Sequence, residues 1–422
     1  MSNQHASPNS KATDIAIVGG GMVGATMAAL LAYLRSDWRI TLIESFEFPQ
    51  ADAPAYQPSY DDRSTALAHG TVELFEQMGL WPLLSQYATS IRQVHVSDRG
   101  HFGGTVIDAE KLAVDAVGQV LANAHLGRSL LQHIQQCDSI RILAPASVTG
   151  LQPLQQGVKL RVKETDEQYD LKAQLTIIAD GAESSLRSRL GIDVNVEDYH
   201  QSAIIANVTL SHSHDHVAYE RFTDQGPMAL LPLGGKQGNQ SALVWTQPAH
   251  KLDAILNLSD TDFLAELQQR FGFRLGHFAA VGKRDSYPLY LKVASEQVRS
   301  SLVIMGNAAH FLHPVAGQGF NLAVRDCAAL ASILNSAQQQ QQALGSLSVL
   351  RNYEQQQQSD QLTTIQFSDK ITRLFSTSNL PAALLRGLGF FGLEIVPPAK
   401  QILTTQTMGQ GGKRVIPITE SK

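Results

Sequence analysis

A short β-branched run at residues 14–18 (DIAIV) leads directly into Gly19, Gly20, Gly21, Met22, Val23 and Gly24, a GxGxxG spacing carried by Gly19, Gly21 and Gly24. Residues 25–34 are rich in strong helix formers, and residues 39–43 (RITLI) read as a second strand ending at Glu44, 20 residues after Gly24. Bare glycines let backbone N–H groups approach a pyrophosphate at a helix N-terminus, where the dipole favours negative charge. A carboxylate closing the second strand accepts hydrogen bonds from a ribose. The chain is thereby committed to an α/β fold opening on a Rossmann-like βαβ unit. The same spacing recurs at Gly387, Gly389 and Gly392, but after a helical pattern and with no acid at the required distance, so there it reads as packing glycines.

Two later runs, residues 175–179 (LTIIA) and 302–305 (LVIM), read as buried parallel strands, each feeding a loop of small residues. The first meets Asp180, Gly181, Ala182, Glu183, Ser184, Ser185, Leu186 and Arg187, a DGxxSxxR pattern. Asp180 at such an edge reaches a ribose or waters on a pyrophosphate while Gly181 permits the turn; an ordinary turn with a capping serine is the competing reading. The second meets Gly306, Asn307, Ala308, Ala309 and His310, then Gly317, Gln318, Gly319, Phe320 and Asn321 at the start of a helix running through Asp326. A glycine loop feeding a helix N-terminus aims several N–H donors at one point, which suits the N1 and C2=O edge of a reduced flavin.

Between these edges, segments near 203–210, 228–233 and 241–246 have strand composition with polar turns, suggesting an antiparallel second domain. The expected division is a frayed tail at 1–13; a discontinuous nucleotide-binding domain at 14–87, 116–194 and 286–335; a substrate domain at 88–115 and 195–285; and a helical region at 336–422. Helices are expected over residues 353–375 and 380–393, with glutamine runs at 338–342 and 355–358. A net charge of −5 from 33 basic and 38 acidic residues gives nucleic acid nothing to bind. Cys137 and Cys327 stand apart without partners for a zinc site or disulfide framework, and no signal-peptide core or uncharged membrane span is seen, so a cytoplasmic location is expected.

Three strand-loop elements in this order resemble the single-Rossmann flavoprotein aromatic hydroxylases, the family that includes para-hydroxybenzoate hydroxylase. The resemblance narrows to the ubiquinone-pathway hydroxylases through Asp62 to Leu67 (DRSTAL), Val94 to Gly100, Tyr219-Glu220-Arg221-Phe222, Gly226-Pro227, Leu231-Pro232-Leu233 and Tyr287-Pro288-Leu289. It implies an FAD-dependent monooxygenase that uses NADH or NADPH and O2 to hydroxylate a polyprenylated phenol, with the GNAA form pointing to a 2-polyprenyl-6-methoxyphenol. It further implies contact with a ubiquinone-biosynthesis assembly or the membrane periphery. By position, Gly19, Gly21, Gly24 and Glu44 would hold the ADP half, Arg63 and Gln119 the pyrophosphate surroundings, and Asp180 with Gly181 the middle of FAD. Asn307 would meet the ribitol, where most of the wider family carries aspartate, and Gly317, Gln318, Gly319 and Asn321 would face the isoalloxazine. The resemblance singles out no catalytic acid or base.

Weaker signals carry two readings each. His212, His214 and His216 alternate as metal ligands would on an extended strand, or lie in a polar turn. His310 and His313 either deprotonate a phenol or serve structure. Arg284 and Tyr287 either border the substrate or pack at a core edge. Leu380, Leu384, Leu385, Leu388, Phe390 and Phe391 form a helix face for lipid or partner proteins, or for the main body.

Overall fold

The computed structural model describes residues 11–48, 63–99, 104–223, 225–235, 237–312, 317–376 and 408–409. The first strand, Lys11–Val18, lies parallel between Glu167–Ile178 and Ile40–Ile43. Across the sheet the order is Val298–Arg299, Leu302–Ile304, Glu167–Ile178, Lys11–Val18, Ile40–Ile43, Ile140–Leu143. Ile15, Ala16 and Ile17 are wholly buried because both faces of the sheet are covered. Helices Met22–Leu34 and Gln318–Gln339 cover one face, and the hairpin Ala146–Pro153 with Val158–Glu164 covers the other. The strand starts earlier than expected: Lys11, Ala12 and Thr13 pair with Leu171, Lys172 and Ala173, and the Thr13 hydroxyl donates to the Arg39 carbonyl at 2.6 Å. These three residues therefore belong to the sheet, not to a tail.

The second sheet runs His310–Phe311, Asp285–Ala294, Val194–Leu210, Gln240–Pro248, Gly226–Leu233, Val217–Thr223, Gln93–Asp98, Gly104–Asp108. It is antiparallel except where Val217–Thr223 meets Gln93–Asp98. One face packs Ile204, Val208, Met228, Leu230, Leu243 and Trp245 on helix Asp260–Phe271. The alternating residues face the other way, where Ala218, Val94, Leu231 and Leu233 pack on a three-stranded sheet of Ser64–Ala68, Gly118–Ala122 and Thr89–Ile91. Two expected boundaries move. Asp285–Ala294 joins the antiparallel sheet by pairing with Val194–Leu210 from Ala294 to Asp285, and Thr89–Ile91 pairs with Gly118–Ala122 beside the nucleotide-binding region.

The 30-residue helix Leu347–Ser376 absorbs the second glutamine run and packs on Gln318–Gln339. The expected helix at 380–393, with its leucine and phenylalanine face and the second glycine spacing, lies outside the described residues. Among the described residues no helix is long and apolar enough to cross a membrane.

Candidate functional site

The three loops singled out in the sequence open from the same edge of the parallel sheet. Lys11–Val18 sits beside Glu167–Ile178, which sits beside Leu302–Ile304, so the C-terminal ends of three adjacent strands deliver Gly19, Asp180 and Gly306 together. The sheet order reverses at the first strand, where connections leave to opposite sides and open a crevice. The fit is too close for side chains. A Cβ on Gly19, whose φ is +104°, would stand 2.4 Å from the Ala179 carbonyl oxygen, and one on Gly24 would stand 1.9 Å from the Gly19 carbonyl oxygen. Gly306, φ +61°, would press a Cβ to 3.0 Å from Val23 on the glycine-loop helix. Gly21 caps that helix with no side-chain hydrogen bond and no acidic residue in its first turn, which leaves its N–H groups and positive end for an anion.

Glu44 is buried at the end of Ile40–Ile43. Its Oε2 accepts from the Gly20 amide at 2.6 Å, and its Oε1 accepts from the Phe46 amide at 2.9 Å and the Ser45 hydroxyl at 3.1 Å. The carboxylate thus shapes the glycine loop, and three of its four lone-pair directions are taken. Asp180 is different. Its Oδ1 is buried without a hydrogen-bond partner, and burial pushes its carboxyl above the usual range against lowering contacts from Ser184 and the backbone. Gly181 follows with φ +96° and open space where a Cβ would be. An orphaned carboxylate oxygen and a cradle that side chains would fill are what an FAD molecule, with ribose hydroxyls to donate and a pyrophosphate to seat, requires. The implied cofactor fits these residues.

Arg187 closes the DGxxSxxR pattern and performs a role that the sequence reading left unassigned. It is buried, donating from Nη1 to the Ala308 carbonyl at 2.7 Å and from Nη2 to the Ala182 carbonyl at 2.9 Å, so it bridges the loop after one strand to the loop after the next. Ser184 caps the short helix by accepting from the Arg187 amide at 3.1 Å. Asn307 projects from the 3-10 turn Gly306–Ala308 and is exposed.

Gly317 takes a left-handed conformation, φ +62°, to start helix Gln318–Gln339; Gln318 is buried and Gly319 faces open space. Asn321 is buried and spends its whole amide internally. It donates to Ala66 and Gly317 carbonyls and accepts from the Ala68 amide and the Thr71 hydroxyl, all at 2.8 Å. Its side chain pins the loop to Ser64–Ala68. Arg63 precedes that strand and stacks its guanidinium 4.8 Å from the Tyr287 ring centroid. Gln119, half-buried on the neighbouring strand, stands opposite Leu67.

The weaker signals resolve individually. His310 is buried and shares a 2.9 Å hydrogen bond with Asp326 through Nε2, while the other Asp326 oxygen accepts from Gln357 at 3.1 Å and Gln361 at 3.0 Å. One ring nitrogen of His310 is thus held by Asp326 while its buried Nδ1 has no hydrogen-bond partner, and no spacing rule linked it to glutamines one helix away. His313 lies outside the described residues. His212, His214 and His216 lie in the turn between two strands. His214 pairs with the Leu233 carbonyl, His216 with the Ser90 carbonyl and His212 with the Ser211 hydroxyl. Arg284 turns to the helix side, with the Leu258 carbonyl at 2.8 Å and Phe263 beneath it, whereas Tyr287 faces the nucleotide region.

The FAD binding domain family model matches residues 12–367. A ubiquinone hydroxylase of Rhodospirillum rubrum is 35% identical over 94% of this chain and 90% of its own length. The 3-demethoxyubiquinol 3-hydroxylase of Escherichia coli is 30% identical over 90% of this chain and 95% of its own. Among solved structures, p-nitrophenol 4-monooxygenase of Pseudomonas putida superposes with a TM-score of 0.75 over 96% of this chain and all of its own, at 18% identity.

Proposed function

The chain belongs to the FAD-binding monooxygenases of the ubiquinone hydroxylase family, and on that premise we propose that it hydroxylates a 2-polyprenyl-6-methoxyphenol to the corresponding 1,4-benzoquinol. The observation carrying this reading is the crevice itself: three strand-end loops with an orphaned Asp180 oxygen on one side, and the inner face of the antiparallel sheet on the other. FAD, once reduced by NADH or NADPH, supplies the activation of O2 there. The protein's part is to hold and shield. Gly19, Gly21 and Gly24 seat the pyrophosphate, with Arg63 and Gln119 at its edge. Glu44 orders the loop beside the ribose, Asp180 and Gly181 meet the middle of the cofactor, and Asn307 meets the ribitol. Gly317, Gln318 and Gly319 offer the helix N-terminus to the ring, and Asn321 fixes their position. Apolar residues of the facing sheet exclude water from the reacting phenol. We place the enzyme in the cytoplasm, working on a phenol drawn from the membrane or passed within a biosynthetic assembly.

A second reading, hydroxylation at another carbon of the same prenylated ring, is favoured by the Escherichia coli relative, whose name puts its hydroxyl at position 3. Metabolite analysis of a strain lacking this protein separates the two. Accumulated 2-polyprenyl-6-methoxyphenol with lost ubiquinone is the expected result. Accumulation of an unmethoxylated phenol or a later benzoquinol overturns the ring position and keeps the family.

A further inference from the structure

Glu220 lies on Val217–Thr223, between Ala229 on one neighbouring strand and Val96 on the other. Its strand neighbours Tyr219 and Arg221 turn to helix Asp260–Phe271, where Tyr219 meets Phe271 edge to face at 5.7 Å and Arg221 sits 5.8 Å from the same ring. Alternation sends Ala218, Glu220 and Phe222 the other way, and Ala218 packs with Val117, Val120 and, at their edge, Ala66 of the three-stranded sheet. Ala66 also lies against Gly317 and accepts from Asn321, so this face looks on the loop assigned to the isoalloxazine ring. Tyr287, on the same face four strands away, confirms the direction by stacking on Arg63.

Glu220 is half-buried by surface area although its carboxyl is ringed by protein, as a group on the floor of a cleft would be: enclosed, yet reachable. Among the described residues no hydrogen bond or ion pair engages it. Its neighbours on this face are Ala218, Phe222, Ala229 and Val96, with Val244 and Thr105 one strand further on to either side. The ionisable groups facing the same way are Asp98, opposite Phe222 on the adjacent strand, His216 against the Ser90 carbonyl, and Asp285 and Tyr287 on the far strand, with Arg63 stacked on Tyr287. On helix Leu347–Ser376, which packs against Val217–Thr223, Asp369 and Arg373 are engaged with Tyr199 and Glu197. None of these charges acts on Glu220; burial alone pushes its carboxyl up to about 8. A lone acid is costly in such a setting, and positions of that kind gather at working sites.

Resting on the hydroxylase reading above, we propose that the Glu220 carboxyl is a catalytic residue that binds the substrate's phenol hydroxyl and takes its proton. The phenol O–H bond breaks, the proton passes to a Glu220 oxygen, and the electron pair stays on the ring oxygen; nothing is oxidised or reduced in the step. The electron-rich phenolate is the form that attacks an electrophilic oxygen. A phenol of ordinary acidity ionises near pH ~10, and a surface carboxylate near ~4.3 is far too weak a base for it. A desolvated carboxylate closes most of that gap.

The test uses the FAD-loaded full chain and a short-chain 2-prenyl-6-methoxyphenol. The pH–rate profile of hydroxylation should rise with a midpoint at least one pH unit below the ionisation of the free compound, following the ionisation of Glu220. Glu220→Gln should return that midpoint to the free value and lower NADH-driven hydroxylation about 10²-fold at neutral pH, with FAD loading as the folding control. The rate should recover as the pH nears that of free phenol ionisation. Should the glutamine variant lose FAD, Glu220→Asp carries the same test through a shifted midpoint. An unchanged midpoint and rate in either loaded variant overturns the proposal. Wild-type enzyme that binds and ionises the phenol without hydroxylating it rejects the pathway reading and supports the role of Glu220; failure to bind the phenol overturns both.

Discussion

Single atoms at this site carry measurable consequences. Asn307 stands exposed on its turn with no carboxylate charge, where the resemblance puts aspartate in most of the wider family. Asn307→Asp is therefore expected to be tolerated and to tighten FAD, since a carboxylate makes stronger hydrogen bonds to ribitol hydroxyls than an amide oxygen does. Titration of the apo-protein measures it, and a loss beyond about tenfold, or ~1.4 kcal/mol, would show that the asparagine donates a needed hydrogen bond. Glu220 sets a pH dependence of stability. Its folded value of about 8 stands above the ordinary 4.5, so the folded state holds the proton more tightly than the unfolded one. Stability is then greatest below 4.5, falls as the pH climbs from 4.5 to about 8, and levels off above. The slope stays below the ~1.4 kcal/mol per pH unit of a fully enclosed acid, because solvent reaches this group. Denaturant titrations of wild type and Glu220→Gln from pH 5 to 8 should converge at the acid end and separate at the alkaline end, with the variant more stable.

Elements are held to one another by polar side chains that pattern reading places poorly. The parallel strands were legible because β-branched runs ending in glycine need no partner to be recognised: residues 14–18, 175–179 and 302–305 all fall on strands or at their ends. Boundaries were less so. Asp285–Ala294 reads SYPLYLKV from Ser286 to Val293, a strand in either sheet, and only its pairing with Val194–Leu210 decides between them. The links between elements were invisible. Nothing in the spacing announces that Arg187 reaches the Ala308 carbonyl, or that Asp326 collects His310, Gln357 and Gln361 from one loop and one distant helix. Each link makes a prediction. Arg187→Met removes two charge-assisted hydrogen bonds, to the buried Ala308 carbonyl and the half-buried Ala182 carbonyl, and should cost about 3 kcal/mol in chemical denaturation, while weakening FAD as the two loops separate. A variant that keeps wild-type stability and affinity would show that the loops hold their spacing without it.

At the scale of the whole molecule, the two large sheets enclose the crevice, and FAD is expected to be the piece that completes it. The cradle is assembled from chain segments around residues 19, 180 and 306, none near another in sequence, and without ligand it leaves the Asp180 oxygen buried and unpaired. Such an assembly favours a folded state that binds FAD over an unfolded one that cannot. Binding to the folded state alone stabilises by RT ln(1 + [FAD]/Kd), about 2.7 kcal/mol at one hundred times Kd and ~1.4 kcal/mol for each further decade. Stripping FAD should therefore lower the thermal midpoint, and adding it back should raise the midpoint steadily with the logarithm of concentration. Gly24→Val separates this effect from any general weakness of the fold. Even the first carbon of its side chain would start 1.9 Å from the Gly19 carbonyl oxygen and force the phosphate loop apart. The variant should sit below the wild-type apo-protein and show no rise with FAD. A midpoint that ignores FAD in the wild type, or a Gly24→Val protein that follows it in parallel, would mean that the glycine loop does not seat the cofactor.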